Sequence, residues 1–281
     1  MKHEDDVKLD ETTHSNFDSR TARAPRLVAR GLKKRFGKRV VLAGVDLEVA
    51  PGQVTALLGE NGQGKTTLMK LALGVLAPDG GTITVAGFDP LKQPRPLRER
   101  IGFVPAQPDA YGWMTVRDLF RFLAPQYPTW DCAYADALVA QLRIPERTPF
   151  KAMSRGEGMK AMLAAALAPR PPLLLLDEPF AGLDPLVREE VLRGVIGELR
   201  AGERTVLVAT HDLDVVARVA DRVAILADGR IRKHGTLEEV VDGGARDGEE
   251  GEDAAVSSVP LKLRDALESA RSESRHIGVA S

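Results

Sequence analysis

The segment Gly59-Glu60-Asn61-Gly62-Gln63-Gly64-Lys65-Thr66-Thr67 has the residue types and spacing of a loop that wraps phosphate. Its glycines let the backbone curl until N–H groups point inward at anionic oxygens. Lys65 places a point charge on β- and γ-phosphates, and Thr66 offers a hydroxyl to Mg²⁺. A helix opening behind the loop aims its positive end at the same anion. A chance glycine-rich turn is the competing reading. The strand pattern before the loop and the helical pattern after it speak against chance.

A second set of chemical groups lies far along the chain. Leu173-Leu174-Leu175-Leu176 runs into Asp177, Glu178 and Pro179. So apolar a run suits a central strand of a parallel sheet, and acids at its C-terminal end fall where ligands bind in open α/β sheets. Asp177 is suited to hold Mg²⁺ through water, and Glu178 to orient and polarise an attacking water. Taken alone, the pair reads equally well as solvated strand-end acids. Together with the loop at Gly59 it reads as the second half of a nucleotide site. His211 follows the next apolar strand, in Ala209-Thr210-His211-Asp212, where it can reach a γ-phosphate. A lone histidine is more often structural; this position reverses that balance.

These groups need a scaffold. Val45, Leu47 and Val49 alternate with Asp46 and Glu48 as a half-buried strand, and Pro51-Gly52 turns the chain into the short strand 54–58. Leu68, Leu71 and Val75 repeat at helical spacing, and Pro78-Asp79-Gly80-Gly81 ends that helix. Ile83 and Val85 mark another strand. Leu119, Phe120 and Leu123, then Tyr134, Leu138 and Leu142, mark helices punctuated by Pro125, Pro128, Pro145 and Pro149. Residues about 106–165 thus read as an inserted helical lobe. Strands return at 173–176, 205–210 and 223–226 with helical stretches between them, the pattern of crossover units in a largely parallel sheet. Residues 1–24 read as a mobile polar tail, and order begins near Arg26-Leu27-Val28. Residues 243–281 read as an acidic linker through Asp253 and a tail in which 260–272 can form one short helix. The bland reading of this tail is solvated chain; the alternative is a regulatory or docking role.

The chain has 281 residues, 43% hydrophobic and 28% charged, an ordinary balance that supports a sizeable core. Lys plus Arg is 39 against 40 for Asp plus Glu, so no basic excess points to nucleic acid. The single cysteine, Cys132, excludes an internal disulfide framework and reads as a small buried hydrophobe. The acidic start Met1-Lys2-His3-Glu4-Asp5-Asp6 is not a secretory signal. No apolar run approaches the roughly 20 residues that span a bilayer.

From about Arg26 to Gly235 the chain resembles the nucleotide-binding subunit of an ABC transporter. The resemblance implies a P-loop α/β cassette: a RecA-like, mostly parallel core sheet, an antiparallel β subdomain and the inserted helical lobe, together spanning 25–242. It implies ATP and Mg²⁺ as ligands, ATP hydrolysis powering transport, and a peripheral position on the cytoplasmic face of the membrane. It also implies two partners, a second cassette, identical or different, and an integral membrane permease. Phe36 matches the aromatic that stacks on adenine. Met153-Ser154-Arg155-Gly156-Glu157 stands where the family has Leu-Ser-Gly-Gly-Gln, so Ser154 and Gly156 would bind the γ-phosphate held by the opposite cassette. Gly182-Leu183-Asp184 matches the loop that signals across the dimer. The stretches Tyr111 to Val116 and Tyr127 to Asp131, with Ser154 to Lys160, are similar to drug- and antibiotic-export cassettes. Tyr127 and Trp130 read as lobe packing or as a surface for a short helix of a membrane subunit.

The chain departs from the family pattern at the signature and at the loop joining core to lobe. Val104-Pro105 is followed by Ala106 where the family often has Gln, and Gln107 comes one place later. The expectation is that Gln107 makes the Mg²⁺ and water contact through a shifted backbone. Arg155 replaces a glycine and is expected to point away from the nucleotide or to add charge to the partner site. Glu157 replaces Gln and brings negative charge near phosphates, leaving room for a weaker or asymmetric site. Two rival classes stay open at this level: a soluble ABC-type ATPase acting on nucleic acid or ribosomes, and an ATP-dependent regulatory module.

Overall fold

The computed structural model describes residues 26–201, 204–242 and 252–277. Its strands are β1 (Leu27–Phe36), β2 (Arg39–Val49), β3 (Val54–Leu58), β4 (Gly80–Val85), β5 (Ile101–Val104), β6 (Leu173–Asp177), β7 (Thr205–Thr210), β8 (Arg222–Ala227) and β9 (Arg230–Thr236). Its helices are α1 (Lys65–Ala72), α2 (Pro94–Arg98), α3 (Val116–Leu123), α4 (Cys132–Gln141), α5 (Arg155–Leu167), α6 (Pro185–Ala201), α7 (Leu213–Val219), α8 (Leu237–Asp242) and α9 (Glu252–Ile277).

The strands form two sheets. β2, β1 and β4 make an antiparallel sheet in that order. The second sheet runs β5-β6-β7-β3-β8-β9. Its first five strands are parallel, and β9 closes it antiparallel to β8. The parallel strands bury both faces, which explains their unbroken apolar runs. Leu174 and Leu176 of β6, with Val206 and Val208 of β7, enter a core shared with α3 to α7 and α9. Leu173, Leu175, Leu207 and Ala209 face the opposite core, shared with α1 and the antiparallel sheet. The expected α/β cassette with its antiparallel subdomain and helical insertion is therefore the observed architecture, and α3, α4 and α5 fill the inserted stretch.

Several local expectations change. α1 stops at Ala72 rather than extending to Val75. Gly74 takes φ +70°, where a Cβ would lie 2.4 Å from the Pro90 carbonyl oxygen, and Val75 is left 67% exposed. Gly80 and Gly81 open β4 rather than ending a helix. Cys132 is exposed, not buried. It opens α4 behind the Asp131 cap, and the core-facing residues of that helix are Ala135, Leu138 and Val139. The helix expected over 260–272 is much longer: α9 contains Pro260, and Glu252 and Asp253, read as linker, lie in its first turn. Leu263, Ala266 and Ala270 bury its inner face. The tail 1–24 and the linker 243–251 fall outside the described residues. No helix among the described residues is long and apolar enough to cross a membrane.

Candidate functional site

The phosphate loop leaves β3 at Leu58 and enters α1 at Lys65, so strand and helix fix both of its ends. Gly64 caps α1 with φ +107°, and a Cβ there would meet Leu42 Cδ2 at 2.8 Å. That backbone is open only to glycine. Beside the loop lies a cavity of about 300 Å³ lined by Phe36, Arg39, Val41, Glu60, Asn61, Gly62, Gly64, Lys65, Thr66, Thr67 and Glu178. Phe36 is 49% exposed at its rim, with Lys34 Nζ 5.5 Å from the ring centroid. A free π face is what adenine stacking needs. Gln63 turns its side chain away and accepts a hydrogen bond from the Asp228 N–H at 2.8 Å, tying the loop to the β8–β9 turn.

Lys65 is 5% exposed, and its ammonium is surrounded by oxygen. It donates to the Gly59 carbonyl at 2.5 Å and the Glu60 carbonyl at 3.2 Å, and it pairs with Glu178 at 3.0 Å. Glu178 follows β6 at φ +48°, left-handed backbone in a non-glycine residue. Such backbone costs on the order of 1–3 kcal/mol and is concentrated at functional sites. The Glu178 N–H donates to the Ala209 carbonyl at 2.8 Å, which holds the carboxylate at the strand end. His211 Nδ1 lies 3.0 Å from both Glu178 carboxylate oxygens. Glu178, His211 and Lys65 thus form one connected group.

Asp177 is 3% exposed and accepts a hydrogen bond from the Thr66 hydroxyl at 3.1 Å. Burial pushes its carboxyl above the usual carboxylate range; the Thr66 bond opposes that shift, and the neighbouring Glu178 charge adds to it. A buried carboxylate beside a hydroxyl and a phosphate loop is a donor set that fits Mg²⁺, which takes one or two protein oxygens and completes its shell with phosphate and water.

The remaining sequence candidates lie elsewhere. Ser154 caps α5 in a reciprocal box: its hydroxyl donates to Glu157 at 2.9 Å and accepts from the Glu157 N–H at 3.2 Å. Gly156 is buried, with a Cβ position only 2.5 Å from Val187 Cγ1. Asp184 accepts from the Leu186 and Val187 N–H groups and so caps α6. Gln107 lines a cleft of about 270 Å³ with Pro108, Ser154 and Arg155, separate from the phosphate-loop cavity. Sequence reading missed two groups. Arg39 lines the phosphate cavity and donates to the Gly62 carbonyl at 3.4 Å. Arg271 of α9 pairs with Glu60 at 2.6 Å. The turn at Gly37-Lys38 between Phe36 and Arg39 hinted at the first; nothing local hinted at the second.

Comparison with known proteins agrees with this geometry. The family model described as ABC transporter matches residues 42–181. The chain is 32% identical over 211 residues to the ABC transporter ATP-binding protein YtrB of Bacillus subtilis, covering 75% of this chain and 72% of that one. It is 39% identical over 229 residues to the sulfate/thiosulfate import ATP-binding protein CysA of Mycobacterium bovis, covering 77% of this chain but only 63% of that protein. Further relatives carry the names of export and drug-resistance systems. A solved structure titled ATP binding subunit of ABC transporter superposes with a TM-score of 0.72 at 28% identity, covering 85% of this chain and 99% of that one. With the phosphate loop, Asp177, Glu178 and His211 assembled at the C-terminal ends of β3, β6 and β7, the chain belongs to the ATP-binding subunits of the ABC transporter family and is an ATPase.

Proposed function

We propose that this chain is the motor subunit of a membrane exporter, working with a second cassette and a separate integral membrane permease from the cytoplasmic face. One observation carries the reading. The phosphate loop and Glu178 line one cavity, with Asp177 bonded to Thr66 and His211 to Glu178 beside it, while Ser154 lines a different cleft of the same chain. A second cassette, placed head to tail, would bring its own Ser154 and Gly156 over the ATP held by this one, and the N-terminus of α5 would face the γ-phosphate.

In that arrangement ATP enters over Phe36, and Lys65 exchanges its contact with Glu178 for phosphate oxygens. Thr66 and Asp177 would hold Mg²⁺, which when bound draws off phosphate charge. Glu178 accepts a proton from the attacking water as the water oxygen bonds to the γ-phosphorus. The bond from that phosphorus to the β-phosphate bridging oxygen breaks, leaving ADP and phosphate. His211, held by Glu178, donates to the γ-phosphate. Catalysis is positioning and electrostatics. Loss of the shared γ-phosphate contacts then opens the pair.

A groove of about 520 Å³ between core and helical lobe suits the permease. Leu97, Phe103, Met114 and Phe122 line it, and Tyr111 and Tyr127 stand at its edge. Trp130 packs edge-on against Phe120 at 5.4 Å and near Tyr127 at 6.3 Å, so it supports this wall. An amphipathic helix is the shape such a groove accepts. Export rather than import rests on the resemblance carried by 111–116, 127–131 and 154–160.

The test uses tagged full-length Glu178→Gln protein. It should bind ATP yet hydrolyse it at least about 100-fold more slowly. With ATP it should run as a dimer, and from solubilised membranes it should bring an integral membrane protein with it. Near-normal turnover removes Glu178 as base, and a ribosome or nucleic acid in place of the membrane protein overturns the transporter reading.

A further inference from the structure

Two of the departures from the family pattern, Ala106 and Arg155, touch each other. Arg155 is the first residue of α5, and its Nη2 donates to the Ala106 carbonyl at 3.1 Å, across 49 residues of sequence. The guanidinium also lies over Gly182, which takes φ +67°; a Cβ there would be 2.6 Å from Arg155 Nη1. Only a glycine lets the arginine sit so close. One side chain therefore spans three functional loops: the α5 N-terminus with Ser154, the loop carrying Gln107, and the loop leading to Asp184.

Neighbouring contacts give this bridge firm footings. Gly158 of α5 packs on Pro108, with its Cβ position 2.7 Å from the ring. Gly156 packs on Val187 of α6, and Lys160, buried in α5, pairs with Glu190 of α6. α5 is thus held to α6 at two points and to the Gln107 loop at one. Arg155 adds a link joining all three at the N-terminus of α5. A planar fork can serve two loops at once, whereas lysine offers a point charge to one.

We propose that Arg155 is a positioning residue for ATP hydrolysis, fixing the Ala106–Gln107 backbone relative to the α5 N-terminus and the Gly182 loop so that the three move as a unit. It acts through Gln107 and does not touch nucleotide. The inference rests on the shared-site reading above only for what closes over the ATP; the link itself lies within one chain.

The test compares Arg155→Ala, Arg155→Lys, Gln107→Ala and the Arg155→Ala/Gln107→Ala double variant in the full chain. Arg155→Ala should lower kcat about tenfold while KM for ATP stays within about twofold, with Arg155→Lys recovering part of the loss. The double variant should be no slower than the slower single one, because both act on one path. Amide hydrogen exchange in free protein should rise together at 104–108 and 181–184 in Arg155→Ala; this readout needs neither turnover nor dimer, so failure of the shared-site reading would leave it unchanged. Multiplicative losses in the double variant overturn the proposal. So does a raised KM with unchanged kcat, which would place Arg155 on a partner's nucleotide. Unchanged exchange at 104–108 overturns it as well. Should Arg155→Ala not fold, Arg155→Lys, which keeps the stem and the charge, carries the same kcat, KM and exchange comparisons.

Discussion

Glu178 and Asp177 are adjacent yet sit in different electrostatic surroundings. Glu178 turns out of the strand at φ +48° and finds Lys65 and His211. Asp177 stays in β6, buried, with the Thr66 hydroxyl as its hydrogen-bond donor. Burial raises the Asp177 pKa, so ionising this group works against the folded state. The cost is absent below the ordinary value near 3.8, and it grows as pH climbs from there through the raised folded value. Asp177→Asn should therefore stabilise the nucleotide-free protein at neutral pH, by about 1 kcal/mol as active-site neutralisations commonly do. It should also flatten the fall in melting temperature as pH rises above the ordinary carboxylate value of 3.8. The same change should abolish any stabilisation by Mg²⁺ with ATP. Thermal denaturation with and without that pair checks both halves, and a less stable free variant would contradict the assignment.

At the scale of elements, β6 delivers both acids and is buried on both faces. Leu174 joins one core and Leu175 the other. Leu174→Ala and Leu175→Ala should each cost about 2–5 kcal/mol, measured by urea denaturation; a cost below about 1 kcal/mol for either would mean one face is not packed. This strand, β3 and β7 were readable from sequence because a fully buried parallel strand writes itself as a short apolar run between turn residues. The phosphate loop was readable for a similar reason: its chemistry is backbone geometry within a few residues. What was not readable came from contacts between distant segments. The end of α1 is set by the approach of Gly74 to Pro90, while the apolar spacing runs on to Val75. Cys132 is exposed because it is the first residue of α4, one turn ahead of Ala135 and two ahead of Val139, which carry the same face into the core. Arg155 meets Ala106 and Gly182 only once the lobe has folded against the core. That Gln107 lines a cleft with Ser154 and Arg155 was not written in its one-place shift either.

Across the whole molecule, α9 returns from the far end of the chain to the phosphate loop. Leu263 and Ala270 anchor it in the large core, and Arg271 pairs with Glu60 over a separation of 211 residues. Glu60 lines the phosphate-loop cavity, so its charge would repel a phosphate bound there unless neutralised. Both partners are partly exposed, so the effect is modest. Arg271→Ala should raise KM for ATP about two- to fivefold with kcat unchanged, and adding Glu60→Gln should restore it. A steady-state comparison of the three variants decides the point; a raised KM that persists in the double variant would assign Arg271 some other role. The contact also has a consequence for timing. A ribosome delivers Glu60 long before Arg271, and contacts this distant in sequence close late. During synthesis the loop therefore exists with its repelling carboxylate unanswered, and its hold on anions tightens only when α9 emerges and docks. A modest part of the affinity for nucleotide thus arrives only once α9 has been made.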